Sequence, residues 1–131
     1  MSVAPSQACL LHFDDETAAA QRLGQAAQLP VKMIDRHRFP DGELKLRLPV
    51  DGAGRLPAHV VLLRSLHDPN EKLVELLLTA RAARTLGARH ITLVAPYMAY
   101  MRQDIAFAPG VAVSQQVVGP FLAGLVDAVI T

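Results

Sequence analysis

The chain has 131 residues, of which 51% are apolar and 19% charged, with a formal net charge of +1 and no tryptophan. That length fits one domain with a sizeable aliphatic core, and a near-neutral balance without a basic block argues against electrostatically driven nucleic-acid or membrane binding. The single cysteine, Cys9, rules out a disulfide within the chain and sets the expectation of a reducing, cytoplasmic location; the opening MSVAPSQACLLHF has no signal-peptide pattern, and no apolar run approaches the roughly 18 residues of a membrane span.

Residues 8–13 (ACLLHF) are a short apolar run that predicts a buried first strand. Asp14 and Asp15 offer N-caps to an Ala-rich helix, ETAAAQRLGQAAQ, which Pro30 closes. A strand is predicted over 31–39, then a turn at Pro40-Asp41-Gly42. Beyond the turn, Leu44, Leu46 and Leu48 alternate with Lys45 and Arg47, the period of two that marks a half-exposed strand over 43–48. Gly52 and Gly54, between Pro49 and Pro57, mark a loop.

HVVLLRS (59–65) shows no alternation and reads as a strand buried on both faces, as a parallel sheet requires. The next helix has Asp68 as a cap, Pro69 at its first position and Glu71 completing a capping box. Leu73, Leu76, Leu77, Ala80 and Ala83 follow at helical spacing, and Gly87 suits a left-handed stop. HITLVAPY (90–97) is another buried strand, a polar loop runs through Gly110, a helix covers 114–126, and AVIT begins a further strand. This alternation predicts a three-layer α/β domain with a largely parallel sheet. Because the last residues are entering a strand, residues 1–131 are expected to be part of a longer protein.

In such sheets ligands bind beyond the carboxyl ends of the strands. Two loops qualify: the turn 38–43 and the segment 97–104. Phe39 can stack on a base, Asp41 and Glu43 can accept from an amine or a ribose hydroxyl, and Arg102 and Gln103 can address phosphate oxygens and polar edges. The plain alternatives stand beside these. A turn containing Asp-Gly is commonly only a turn, and Arg38 with Glu43 reads equally well as a surface ion pair. Tyr97 and Tyr100 read as packing residues. The histidines at 12, 37, 59, 67 and 90 show no metal-ligand spacing and read as solvated or hydrogen-bonded, and Cys9 reads as a buried small hydrophobe. There is no Walker loop and no GxGxxG after a strand, so a bound nucleotide must be held another way.

RFPDGE at 38–43, VVLLRS and LVELLLTARAARTLGARHITLVAPYMAYMRQD within 60–104, and FAPG with VSQQVVGPFL within 107–122 form an ordered set. With it the sequence resembles ribose-phosphate pyrophosphokinase (phosphoribosyl diphosphate synthetase), specifically the N-terminal half of that enzyme. Ile105 and Ala106, where many members carry basic residues, mark a divergent branch. The resemblance implies a phosphoribosyltransferase-like N-terminal domain, 1–131, of a two-domain chain. It implies transfer of the β,γ-diphosphoryl group of ATP to ribose 5-phosphate with Mg²⁺, giving phosphoribosyl diphosphate and AMP.

By the same likeness Phe39 stacks on adenine, Asp41, Gly42 and Glu43 contact the nucleotide from a neighbouring subunit of a homo-oligomer, and Arg102 and Gln103 lie along ATP with Asp104 in support. The family's metal histidine, catalytic lysine and ribose-phosphate loop fall beyond Thr131. No residue here is therefore assigned as catalytic or as a metal ligand, and the 131 residues alone are expected to be inactive. Two other classes stay open: a non-catalytic regulatory relative that keeps the fold and assembly surface, and a free-standing α/β interaction domain.

Overall fold

The apolar runs become the strands of one parallel sheet in a computed structural model that describes residues 7–106 and 108–131. Residues 1–6, read above for signal-peptide character, and Phe107, which opens the FAPG piece, lie outside the described residues. Strand β1 (Ala8–His12) leads through a 3-10 turn (Asp14–Glu16) into helix α1 (Thr17–Ala27) and strand β2 (Val31–Met33). Strands β3 (Asp35–Arg38) and β4 (Leu44–Arg47) form a separate antiparallel hairpin. The chain then alternates through β5 (His59–Leu63), α2 (Pro69–Thr85), β6 (His90–Val94), α3 (Ser114–Leu125) and β7 (Ala128–Ile130).

The sheet order is β2-β1-β5-β6-β7, with every neighbouring pair parallel. The chain winds one way from β1 to β2 and the other way from β5 onward, so the crevice between the ends of β1 and β5 is the topological switch point. Strand alternation sorts the core into two faces. Cys9, Leu11, Val60 and Leu62 pack with Leu76, Ala80 and Ala83 of α2 and Leu122 and Leu125 of α3. Leu10 and Leu63 pack with Ala20 and Leu23 of α1 on the opposite side. The result is the expected three-layer α/β fold with a parallel sheet. Each fully buried Leu contributes on the order of 1.5–3 kcal/mol of transfer free energy. Among the described residues, no helix is long and apolar enough to cross a membrane.

Several local readings change. The predicted 31–39 strand is two strands, because the Ile34 backbone N–H donates to the His12 carbonyl at 2.8 Å and its side chain is buried. That anchor turns the chain out of the sheet and into the hairpin. Asp14 and Asp15 do not cap α1. They belong to the 3-10 turn, and Asp15 is drawn instead to Arg64. Nor does the capping box of α2 form: Asp68 is left-handed at φ 48° and makes no side-chain cap bond, while Glu71 pairs with Arg38. Strand β6 stops at Val94 rather than 97, just before the Ala95 N–H donates to the Ile130 carbonyl and Pro96 removes the next donor.

Candidate functional site: two loops flanking a filled crevice

The hairpin pairs Asp35 with Arg47, Arg36 with Leu46, His37 with Lys45 and Arg38 with Leu44. Its period of two gives it two unlike faces. On the inner face Leu46 joins the core, Arg36 reaches Glu75 and Asp14, and Arg38 reaches Glu71. The anticipated Arg38–Glu43 pair is therefore replaced by a tie to α2. Asp35, His37, Lys45 and Arg47 are exposed on the outer face.

At the tip, the Gly42 N–H donates to the Phe39 carbonyl at 2.9 Å, and the Phe39 N–H donates to the Glu43 carbonyl at 2.8 Å. Gly42 has φ +91°, a left-handed conformation that favours glycine, and open space lies around it. The Asp41 carboxylate accepts from the Glu43 N–H at 3.0 Å, so it builds the turn as an Asx motif. Phe39 is 41% exposed and stands edge-on to the His37 ring, with 4.8 Å between centroids. The tip divides its candidates: Phe39 lines a hollow on the outer face, whereas Gly42 and Glu43 line the cleft facing Glu71, Val74 and Leu78 of α2.

The second segment lies beyond β6. Tyr100 adopts φ +62°, and its hydroxyl bonds the Asn70 side chain, tying this loop to the start of α2. The Gln103 N–H donates to the Tyr100 carbonyl at 3.1 Å, and the Gln103 carbonyl accepts from the Gln115 N–H at 3.0 Å. The Ser114 hydroxyl donates to Gln103 Oε1 at 2.9 Å, which leaves the amide N–H₂ of Gln103 as its outward group. Arg102 and Asp104 are exposed. Arg102 and Gln103 line a hollow with His67, Asp68, Asn70 and Tyr97. Tyr100 is partly buried against the core as expected, but Tyr97 is 51% exposed at the mouth of this hollow rather than packed.

Between the two segments the switch-point crevice is filled from within. Arg64, only 1% exposed, donates from Nε and Nη2 to Glu75 Oε1 at 3.0 and 2.6 Å. Its Nη1 donates to Asp15 at 2.6 Å and to Glu16 at 2.9 Å. Its guanidinium lies 4.6 Å from the centroid of the buried Phe13 ring, and that of Arg36 lies 5.2 Å from it. Burial alone would pull the Arg64 pKa down, but the carboxylates of Asp15, Glu75 and Glu16 raise it above its ordinary value. Burial would likewise lift Asp15, and the Arg64 guanidinium overcomes this and holds it below the usual carboxylate range. Glu75 is fully buried and pairs with both Arg64 and Arg36.

The structure thus puts Phe39, Asp41, Gly42 and Glu43 on one projection and Arg102, Gln103 and Asp104 on another. Gly42 and Glu43, Phe39, and Arg102 with Gln103 line three separate hollows. Both follow the carboxyl ends of strands, β2 and β6, which stand three positions apart in the sheet. At about 4.8 Å per strand that is about 14 Å, before the hairpin projects further. The sequence reading missed Arg64 and Glu75. Their signals were an arginine directly after an apolar strand and a carboxylate on the buried face of a helix, with Lys72, Thr79 and Ala83.

The chain matches a family model described as the N-terminal domain of ribose phosphate pyrophosphokinase over residues 8–124. It is 38% identical over 112 residues to a ribose-phosphate pyrophosphokinase of Methanopyrus kandleri, covering 85% of this chain and 37% of that protein. It is 36% identical over 95 residues to one of Saccharolobus solfataricus, covering 72% and 32% respectively. The chain therefore spans about a third of the length of these curated relatives. A crystal structure of phosphoribosylpyrophosphate synthetase from Mycobacterium smegmatis superposes with TM-score 0.77 at 22% identity, over 94% of this chain and 41% of that one, and so shares the fold.

Proposed function

The chain belongs to the family of the N-terminal domain of ribose phosphate pyrophosphokinase, and from that premise we propose that it is the ATP-site and assembly domain of a two-domain ribose-phosphate diphosphokinase. The full-length protein binds ATP and ribose 5-phosphate. The anomeric oxygen attacks the β-phosphorus, the bond between that phosphorus and the α–β bridging oxygen breaks, and AMP leaves while the anomeric proton is lost. The products are phosphoribosyl diphosphate and AMP. Such a transfer needs positioning and neutralisation of spreading negative charge more than it needs a covalent nucleophile.

One observation carries this reading. The hairpin is held down by Arg36 and Arg38 on its inner face, yet it leaves an aromatic, Phe39, 41% exposed at its tip in a T-shaped pair with His37. A braced, part-exposed ring suits a base that another protomer brings. On this reading Phe39 stacks on adenine, Asp41, Gly42 and Glu43 line the nucleotide's edge, and Arg102 and Gln103 of a neighbouring copy lie along ATP with Asp104 beside them. A homo-oligomer follows.

Mg²⁺ accompanies the triphosphate in the full-length enzyme. Among the described residues, however, no group of three or more His, Cys, Asp or Glu could hold a metal. This chain's share of the work is to bind and orient the nucleotide, and taken alone it turns over neither substrate.

The test is release of AMP from ATP and ribose 5-phosphate by the full-length protein. Phe39→Ala should weaken ATP by about 5- to 150-fold, since base stacking is worth about 1–3 kcal/mol, and should leave ribose 5-phosphate nearly unchanged. Arg102→Ala should lower the rate. Unchanged kinetics in both variants would overturn the reading, and ATP binding without any AMP release would point to the non-catalytic relative.

A further inference from the structure

The outward side of α2 carries a stripe that its own domain leaves open. Glu71, Val74, Leu78 and Arg81 are spaced by three or four residues, so they share one face of the helix, and all four are exposed. The stripe reads acid, apolar, apolar, base along about 15 Å of helix. Glu71 holds Arg38, whereas no ion pair of the described residues involves Arg81. Beside the stripe lies α3, whose twelve residues, SQQVVGPFLAGL, include no charge. Val117, Pro120, Phe121, Ala123 and Gly124 are exposed on it, Val117 at 67%. Between the two helices runs a groove lined only by apolar residues, Leu73, Val74 and Leu77 of α2 and Val117, Val118 and Phe121 of α3. A helix apolar on every side belongs under cover, and an exposed apolar patch rimmed by charge marks a contact surface.

We propose that this face docks a second copy of the same chain about a two-fold axis that crosses α2 between Val74 and Leu78. The inference rests on the reading of the protein as a homo-oligomer and locates its contact. The charge pattern selects the occupant. A two-fold axis at that point sets the two α2 helices antiparallel, so that Val74 of one copy meets Leu78 of the other and Glu71 of one meets Arg81 of the other. Both pairs share one midpoint along the helix, at the level of Leu76, and a single axis therefore satisfies both. Parallel helices would instead set Glu71 against Glu71 and Arg81 against Arg81.

The flanking surface agrees. The charge-free α3 sets Val117 and Phe121 beside the axis, where the core of an interface is depleted of charge. Through Val74 and Leu78 the face continues into the cleft lined by Gly42, Glu43 and Leu44. A docked copy thus lies alongside the hairpin that is assigned to a neighbour's nucleotide.

Sedimentation velocity of the full-length protein reads the contact. Leu78→Glu should raise the subunit dissociation constant about tenfold or more, because it sets an unpaired charge at the centre of the interface. Charge reversal tests the arrangement itself and leaves the apolar residues in place, so it decides the case even where Leu78→Glu fails to fold. Arg81→Glu alone and Glu71→Lys alone should each loosen the assembly, since each sets like charges against one another across the axis. An equimolar mixture of those two variants should associate more tightly than either, because both contacts then join opposite charges. If the unaltered protein sediments as an assembly and none of these variants changes its size, the docking face is overturned and the homo-oligomer stands, with the two helices covered by the rest of the full-length chain. A mixture no tighter than its components likewise overturns the face. An unaltered protein that sediments as a single subunit removes the homo-oligomer and this face together.

Discussion

The hairpin and the 97–104 loop are both polar segments past the carboxyl ends of strands, but they are held in opposite ways. The hairpin is fixed by long-range side-chain charge: Arg36 to Glu75 and Asp14, Arg38 to Glu71. The loop is fixed mainly by backbone bonds, from Gln103 to Tyr100 and from Gln115 to Gln103, with the Tyr100 hydroxyl and Ser114 as side-chain props. The difference teaches where each segment is vulnerable. Charge removed anywhere in the buried cluster reaches the hairpin, whereas the loop stands largely apart from that cluster.

The largest effect should come from Arg64→Met, which leaves Glu75 fully buried with only the part-exposed Arg36 as partner. Breaking a buried pair from one side costs about 3–5 kcal/mol. Chemical denaturation of the full-length protein should show a loss of that size, and a loss below about 1 kcal/mol would mean that the cluster is effectively solvated.

A smaller and more local change is expected from Arg36→Ala. Arg64 still serves Glu75 in that variant, so the fold persists, but the hairpin loses its deeper tie. Amide hydrogen exchange should speed up across Asp35–Arg38 and Leu44–Arg47 while residues 97–104 keep their protection. Equal acceleration in both segments would erase the contrast between them, and no change in the hairpin would mean that Arg38 and Leu46 suffice to hold it.

The same contrast explains what could be read from the sequence. The sheet was legible because HVVLL and HITLV are mostly apolar and show no strict polar–apolar alternation, the pattern of a parallel strand covered on both faces. The candidate loops were legible because turn chemistry is local: Asp41 and Gly42 build their turn with neighbours two or three positions away. The charge cluster was not. Its partners are far apart in sequence, Arg36 with Glu75 and Arg64 with Asp15, and no period announces such pairs. For the same reason Asp14 and Asp15 looked like helix caps and Glu71 looked like part of a capping box. Each is locally suited to that role, and distant arginines claimed all three. The two faces of the hairpin were half legible. Alternation of Leu44 and Leu46 with Lys45 and Arg47 was plain in the sequence, but the register that aligns Lys45 with His37 was not.

The central claim is that Phe39 of one protomer and Arg102 of another serve the same nucleotide. Subunit complementation tests it most directly. Full-length Phe39→Ala and Arg102→Ala subunits, co-expressed and purified as mixed oligomers, should regain AMP release well above the mean of the two single variants. About a quarter of the sites would then receive an intact hairpin from one subunit and an intact loop from the other. If the mixture is no more active than that mean, every site draws both segments from one subunit, and the account is contradicted.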